Sequence, residues 1–244
     1  MAEVLLKIEE LTKSFGGLVA IQELSMEVEA GEIHAVIGPN GAGKTPLIAQ
    51  LSGSLKPDSG RILFENRDIT HVPEYRRSAL GLARSFQITS VLKNFSALDN
   101  VALAVQAHAG HSFRFWSKAR KAQELREPAL EILEKIGLTD RMDMPASSLS
   151  HGEQRQLELA MALATRPKLL LLDEPMAGMG VEESQKMVEL LQDLKGTHTL
   201  VLIEHDMDAV FALADRITVL VLSLIHISEP TRPLYISYAV FCLK

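Results

Sequence analysis

The sequence predicts an α/β fold with a mostly parallel sheet, a small antiparallel β part near the N-terminus and a helical insertion in its middle. Short apolar runs alternate with stretches of helical spacing, the pattern of strands joined by helices in a parallel sheet. Hydrophobic residues make up 47% of the chain and aromatic residues only 5%, which is typical of aliphatic α/β cores. The length of 244 residues fits one such domain or two small ones.

The predicted strands are short apolar runs bounded by glycine, proline or polar turn residues. In chain order they cover residues 4–8, 21–28, 33–37, 61–64, 168–173 and 199–203. The predicted helices cover about 44–51, most of 75–137, 150–166 and 181–194. Within 75–137, apolar side chains recur at steps of three and four before a glycine that can end the helix. These residues are Leu125, Ala129, Ile132, Leu133, Ile136 and Gly137.

Charge and hydropathy argue against two classes of protein. The net charge is −6, from 25 Lys and Arg against 31 Asp and Glu, whereas a nucleic-acid-binding domain is normally basic. The longest apolar stretch, 217–227, is interrupted by polar residues and falls short of the roughly 18 residues that a membrane-spanning helix needs. The sole cysteine, Cys242, cannot form an internal disulfide, and residues 1–3 lack the basic start of a signal peptide. We therefore expect a soluble protein from a reducing compartment.

A glycine-rich loop lies between the predicted strand 33–37 and the predicted helix 44–51. Its sequence fits G-x-x-x-x-G-K-[ST], in the strand-to-helix context that this phosphate-binding pattern requires. Backbone N–H groups of such a loop surround phosphate oxygens, Lys44 would reach the β- and γ-phosphates, and the Thr45 hydroxyl would bind Mg²⁺. The alternative is a glycine-rich turn beside a lysine. The predicted nucleotide-binding residues are Gly38, Pro39, Asn40, Gly41, Ala42, Gly43, Lys44 and Thr45.

Two carboxylates follow the four leucines of the predicted strand 168–173. Parallel sheets bind ligands beyond the carboxyl ends of their strands, which is where Asp173 and Glu174 stand. Adjacent side chains on a strand point in opposite directions, so the two carboxylates should have separate roles. Asp173 suits the Mg²⁺ shell, and Glu174 suits a general base that polarises the attacking water. A solvated helix cap is the alternative for this pair.

Residues 149–154 mark the start of the predicted helix 150–166. Ser150 and Glu153 fit S-x-x-E, a capping box, ahead of an apolar helix, and from this pattern alone a well-capped helix is the simpler interpretation. Residues 149–154, Leu-Ser-His-Gly-Glu-Gln, nevertheless resemble L-S-G-G-Q, the signature motif of ABC-transporter ATPases. His151 and Glu153 depart from that motif, and these departures resemble the importer branch that serves branched-chain amino acids, amides and urea.

Further positions match the ABC family in order over about residues 1–221. The resemblance implies that Phe15 stacks on adenine, that Gln87 contacts Mg²⁺ and the attacking water, and that His205 contacts the γ-phosphate. Residues 176–180 correspond to the D-loop, with Ala-Gly-Met at 177–179 in place of the commoner Ala-Leu-Asp. Singly, Phe15 could be a core residue, Gln87 a surface amide and His205 a histidine at a strand end.

The resemblance also implies ATP and Mg²⁺ as cofactors and a shared-site mechanism. Ser150 and Gly152 would face the γ-phosphate held by a second ATPase subunit, in a homodimer or heterodimer, so nucleotide binding closes the dimer. A helical subdomain over about 88–165 would pass this movement to permease subunits, with a periplasmic binding protein involved indirectly and no nucleic acid. The aromatic and basic residues at 113–116 and 118–121 are either part of that contact or a solvated surface. The implied location is the cytoplasmic face of the bacterial inner membrane.

Pro46 stands where the family usually has a second Thr or Ser. Proline has no N–H, so a donor to the α-phosphate is lost together with the hydroxyl, although a proline is sterically acceptable in the first turn of a helix. It also biases Thr45 away from helical geometry. We therefore predict weakened nucleotide binding, unless the proline reflects a base-reading error.

The leading function predicted from the sequence is the ATPase subunit of an importer for branched-chain amino acids or related amides. The alternatives are a soluble ABC ATPase of DNA repair or translation, a lipid or lipopolysaccharide exporter ATPase, and an inactive fragment. The last alternative arises because residues 222–244, when back-translated, resemble sequencing-adapter DNA, although they could be a divergent natural terminus. We expect residues 1–221 to be an ABC ATPase domain that lacks its C-terminal elements.

Overall fold

The structure is a computed structural model that describes residues 3–85, 91–108, 123–221 and 224–228. Its strands are β1 Val4–Phe15, β2 Leu18–Glu29, β3 Ile33–Ile37, β4 Ser59–Phe64, β5 Arg67–Asp68, β6 Leu82–Arg84, β7 Leu169–Asp173, β8 Thr199–Ile203, β9 Arg216–Val221 and β10 Leu224–Ser228. Its helices are α1 Lys44–Ser52, α2 Glu74–Ala79, α3 Ala97–His108, α4 Gln123–Lys135, α5 His151–Ala164, α6 Val181–Leu194 and α7 Met207–Leu213. Short 3₁₀ turns cover Thr139–Arg141 and Ala146–Ser148.

The N-terminal strands form an antiparallel sheet in the order β2-β1-β4-β5 within the described residues. Ile8 of β1 pairs with Met26 on one side and with Ile62 on the other, and all three side chains are buried. Both β1 and β2 are longer than predicted, because register irregularities let the pairing continue through polar stretches. The predicted antiparallel part is confirmed.

The second sheet has the order β10-β9-β3-β8-β7-β6 in the described part of the chain, and neighbouring strands from β9 to β6 are parallel. Alternate leucines of β7 enter different cores, Leu169 and Leu171 beside α1 and Leu170 and Leu172 beside α5 and α6. Burying each leucine stabilises the fold by about 2 kcal/mol. The backbone register aligns the ends of β3, β8 and β7 at one edge of the sheet, which places the segments that follow them side by side.

Arg77 anchors the C-terminal end of α1, the helix that follows the glycine loop. Its side chain is 1% exposed, and its Nη1 donates to the carbonyl oxygens of Gln50 at 2.7 Å and Leu51 at 2.8 Å. Burial lowers the pKa of the guanidinium to about 10, so it stays charged at neutral pH. A positive charge at the C-terminal end of a helix also interacts favourably with the helix dipole. Arg77 therefore fixes the position of α1.

The helical insertion packs α3, α4 and α5 around a core that includes the fully buried Ala129 and Leu133. The prediction that residues 75–137 are mostly helical needs one correction, because β6 lies inside this range and pairs in parallel with Leu169–Leu171 of β7. A strand of three residues is too short to show a period of two in the sequence. Residues 86–90 and 109–122, including the segments 113–116 and 118–121, lie outside the described residues.

The last described strands, β9 and β10, pair antiparallel, with Leu224 opposite Val221. The sequence interpretation did not predict β10. The proposed domain boundary at residue 221 and the adapter origin of 222–244 stay predictions. Among the described residues, no helix is both long and apolar enough to cross a membrane.

Candidate nucleotide-binding site

The glycine loop joins β3 to α1 at the aligned edge of the parallel sheet. Gly41 and Gly43 have φ angles of 84° and 92°, which residues with a Cβ rarely adopt. A Cβ on Gly43 would also lie 2.3 Å from the carbonyl oxygen of Ala20 in β2. Gly43 is the second fixed glycine of G-x-x-x-x-G-K-[ST]. It is required by its backbone conformation and by the close approach of β2.

Lys44 is the first residue of α1, and its side chain turns back over the loop. Its Nζ donates to the carbonyl oxygens of Gly38 at 2.6 Å and Pro39 at 3.0 Å, and the residue is only 8% exposed. The ammonium group therefore lies within the loop, where the pattern predicts phosphate binding.

Thr45 and Pro46 occupy the first turn of α1. The helix runs through both residues, so Thr45 keeps a helical backbone and the expected departure from helical geometry is not seen. The first backbone bond of the turn, from Leu47 N–H to Gly43 O at 2.9 Å, does not involve the proline nitrogen. N–H groups of the first turn have no partner within a helix. Pro46 therefore removes one donor that a ligand could use, and the helix stays intact.

Asp173 ends β7 with a side chain that is 2% exposed. Burial raises the pKa of its carboxyl group, and the neighbouring Arg84 and Lys44 offset part of this effect. Arg84 Nη2 lies 3.5 Å from Asp173 Oδ2. The Asp173 carboxylate thus lies beside a positively charged side chain. Its oxygens and the Thr45 hydroxyl oxygen are donors of the type that Mg²⁺ prefers. This donor set fits the predicted magnesium site.

Glu174 and His205 follow β7 and β8, respectively. Glu174 has a φ of 50°, a conformation that is uncommon for a residue with a side chain and often occurs at functional sites. Its N–H donates to Ile203 O at 2.9 Å, which attaches it to the end of β8. His205 Nδ1 lies 3.8 Å from Glu174 Oε1, so the structure brings the predicted base and the predicted γ-phosphate ligand together.

Glu204 is a residue of this cluster that the sequence interpretation missed. It is 1% exposed and accepts hydrogen bonds from the N–H groups of Met176 and His205, both at 3.1 Å. It therefore ties the segment after β7 to the segment after β8. A carboxylate directly after a buried strand and before His205 was the signal that could have found it.

Phe15 lies at the end of β1 and is 48% exposed, so it is not a core residue. The ammonium group of Lys13 lies 5.6 Å from the centre of its ring, which is within cation–π range. An exposed ring is available for stacking. Gln87 lies outside the described residues, and its role stays a prediction.

The predicted capping box at the start of α5 is present. Ser150 Oγ accepts from Glu153 N–H at 3.1 Å, and Glu153 Oε2 accepts from Ser150 N–H at 2.8 Å. Ser150 Oγ also donates to Glu183 Oε1 of α6 at 3.1 Å. Ser150 and Gly152 are therefore held together at one helix N-terminus, as the signature motif predicts.

Comparison with known proteins identifies the family. The sequence model of the family described as ABC transporter matches residues 21–177, which are more than half of the chain and include the glycine loop and the Asp173–Glu174 pair. The chain belongs to the ABC transporter family. The predicted resemblance is thereby confirmed.

Relatives of this ABC family member align along most of its length. It is 35% identical over 227 residues to the high-affinity branched-chain amino acid transport ATP-binding protein BraF of Pseudomonas aeruginosa, with 90% of this chain and 89% of BraF covered. It is 36% identical over 228 residues to LivG of Escherichia coli K12, a protein described in the same words, with 90% and 89% covered. A probable LivG of Archaeoglobus fulgidus is 37% identical over 219 residues, with 88% and 85% covered.

Solved structures confirm the fold of this ABC protein. A nucleotide-free ATP-binding cassette from an ABC transporter superposes with a TM-score of 0.81 at 31% identity, covering 93% of this chain and 91% of that one. The ADP conformation of an ATP-binding cassette gives a TM-score of 0.81 at 32% identity, with 91% and 89% covered. The predicted ABC ATPase fold is thus confirmed.

Proposed function

We propose that this chain is the ATP-binding and ATP-hydrolysing subunit of a bacterial ABC importer for branched-chain amino acids or related amides. The observation that carries the proposal is the alignment with BraF and LivG over about nine-tenths of the chain. The names of these relatives favour an importer over the two other classes of ATPase, the lipid exporter and the soluble ATPase.

ATP binds the glycine loop in this proposal, with Lys44 at the β- and γ-phosphates and Phe15 at the adenine ring. Thr45 and Asp173, with Gln87, hold the Mg²⁺ ion. When bound, the ion neutralises charge on the phosphate oxygens. Arg84 lies beside Asp173 and stabilises its buried charge when no metal ion is bound.

Glu174 is the proposed general base for hydrolysis. Its carboxylate orients the attacking water and accepts its proton, and His205, 3.8 Å away, contacts the γ-phosphate. Glu204 positions this pair through its hydrogen bonds to backbone N–H groups on both segments. The proposal is supported by the aligned ends of β3, β7 and β8, which bring the loop, the base and the histidine to one edge.

A second ATPase subunit completes each nucleotide site. Ser150 and Gly152 stand at the N-terminus of α5, where backbone N–H groups and the helix dipole favour an anion. In the proposed head-to-tail dimer they contact the γ-phosphate held by the glycine loop of the partner. ATP then lies between two chains, and its binding closes the dimer.

In this proposal the chain is a peripheral protein on the cytoplasmic face of the membrane. There it binds the permease subunits. The surface that we propose is a groove of about 580 Å³ between α2 and β6 on one side and α3 and α5 on the other. It is lined in part by Tyr75, which is 69% exposed, and by Arg84. Because Arg84 also contacts Asp173, a permease segment in this groove would reach the proposed magnesium site through one side chain.

Co-purification tests the proposal. The full chain is expressed with the permease subunits of a branched-chain amino acid transporter from the same source, and the complex is captured through a tag on the permease. We expect the chain to be retained, and we expect Tyr75→Glu to reduce its retention at least about tenfold while leaving its own ATP affinity unchanged. Failure of the chain to bind any such permease, with its fold intact by circular dichroism, would contradict the proposed function.

A further inference from the structure

Glu183 belongs to α6, yet its carboxylate lies against the N-terminal end of α5. Its Oε1 accepts a hydrogen bond from Ser150 Oγ at 3.1 Å, and its Oε2 accepts one from Gly180 N–H at 3.3 Å. A Cβ built on Gly152 would lie 2.5 Å from the Glu183 carboxyl carbon. The carboxylate therefore covers both residues that the proposed function assigns to the nucleotide of the partner subunit.

The hydrogen bonds of Ser150 leave its hydroxyl no proton to offer a phosphate. Oγ accepts from Glu153 N–H at 3.1 Å and donates its proton to Glu183. A serine hydroxyl has a single proton, so Ser150 cannot donate to Glu183 and to a phosphate oxygen at once. The carboxylate and the phosphate are also both negative, and like charges at this range repel each other.

We propose that Glu183 is a positioning residue that holds Ser150 and turns away when the nucleotide of the partner subunit docks. This inference rests on the proposed function, because it takes Ser150 and Gly152 as the γ-phosphate contacts. Since the same carboxylate accepts from Gly180 N–H, its movement releases the end of the segment 176–180. Docking at α5 is thereby coupled to the segment that follows the Glu174 base.

The test measures ATP-driven dimerisation of the full chain by analytical ultracentrifugation, in a Glu174→Gln background that cannot hydrolyse the nucleotide. Glu183→Gln keeps the size of the side chain and one oxygen that can accept from Ser150. It removes the charge and the second oxygen, which accepts from Gly180 N–H. We expect half-maximal dimerisation at an ATP concentration about fivefold lower than in the parent. Because the effect is electrostatic, the difference should shrink when salt is raised from about 0.05 M to about 0.5 M.

Glu182→Gln is the matched control, since it makes the same charge change at an exposed position in the same helical turn. We expect it to shift the ATP requirement by less than about twofold. ATP affinity of the monomer, measured by fluorescence titration, should be equal in parent and Glu183→Gln, because Glu183 acts on the nucleotide of the other subunit.

Four outcomes would overturn the inference. If Glu183→Gln needs as much ATP as the parent or more, or if Glu182→Gln shifts the curve equally, Glu183 does not compete with the phosphate. A Glu183→Ala variant that weakens dimerisation would likewise indicate a purely structural cap. A parent that binds ATP but stays monomeric at saturating nucleotide refutes the proposed dimer itself, and the role of Glu183 with it.

Discussion

Pro46→Thr is expected to strengthen ATP binding by an amount that follows from the hydrogen-bonding groups it restores. Pro46 lies in the first turn of α1 without breaking it, so the substitution restores one N–H donor and one hydroxyl and repairs no distorted helix. A hydrogen bond to a charged group contributes about 1.5 kcal/mol or more, which corresponds to roughly tenfold in the dissociation constant.

Isothermal titration of the full chain with ATP and Mg²⁺ measures this effect. Pro46→Ala separates its two parts, because alanine restores the N–H and not the hydroxyl; we expect most of the tenfold gain from this variant alone. Pro57→Thr, in the turn before β4, controls for the general effect of replacing a proline by threonine, and it should leave affinity unchanged. Equal ATP affinities for the original chain and Pro46→Thr would refute the reasoning.

Three further predictions concern the edge of the parallel sheet. Glu174→Gln should lower the rate of phosphate release at least about 100-fold while ATP affinity stays within about twofold; rapid hydrolysis by this variant would remove Glu174 as the base. Gly43→Ala should abolish ATP binding and lower the free energy of unfolding by about 1–3 kcal/mol, because the new Cβ would lie 2.3 Å from Ala20 O. An unchanged free energy of unfolding in chemical denaturation would contradict this prediction. The raised pKa of the buried Asp173 carboxyl means that its ionisation opposes folding. Asp173→Asn should therefore raise the thermal midpoint of the nucleotide-free chain at pH 7, and this gain should disappear as the pH falls below the ordinary carboxyl range; a lower midpoint at pH 7 would show that the Arg84 contact outweighs burial.

Local patterns predicted the parts of the site that are built from consecutive residues. These parts are the glycine loop, the Asp173–Glu174 pair and the capping box at Ser150. Each depends on backbone geometry within a few residues, and the spacing of residues in the sequence predicts such local geometry. The strand β7 was predictable for the same reason, since four leucines in a row suit a strand that is buried on both faces.

Contacts between distant segments could not be read from the sequence. Arg84 meets Asp173 only because β6 pairs with β7 in parallel, and β6 itself is too short to show a period. Glu183 meets Ser150 through the packing of α5 on α6, 33 residues apart in the chain. The contacts of Arg84 and Glu183 with these two predicted site residues therefore follow from the tertiary structure alone.

ATP-driven uptake tests the central claim most directly. The chain is reconstituted with its permease subunits in proteoliposomes loaded with ATP and Mg²⁺, and entry of labelled leucine is measured in the presence of the binding protein. We expect uptake that depends on ATP and is lost with Glu174→Gln. Uptake that proceeds equally with Glu174→Gln, or ATP hydrolysis by the complex that moves lipid and no amino acid, would contradict the account.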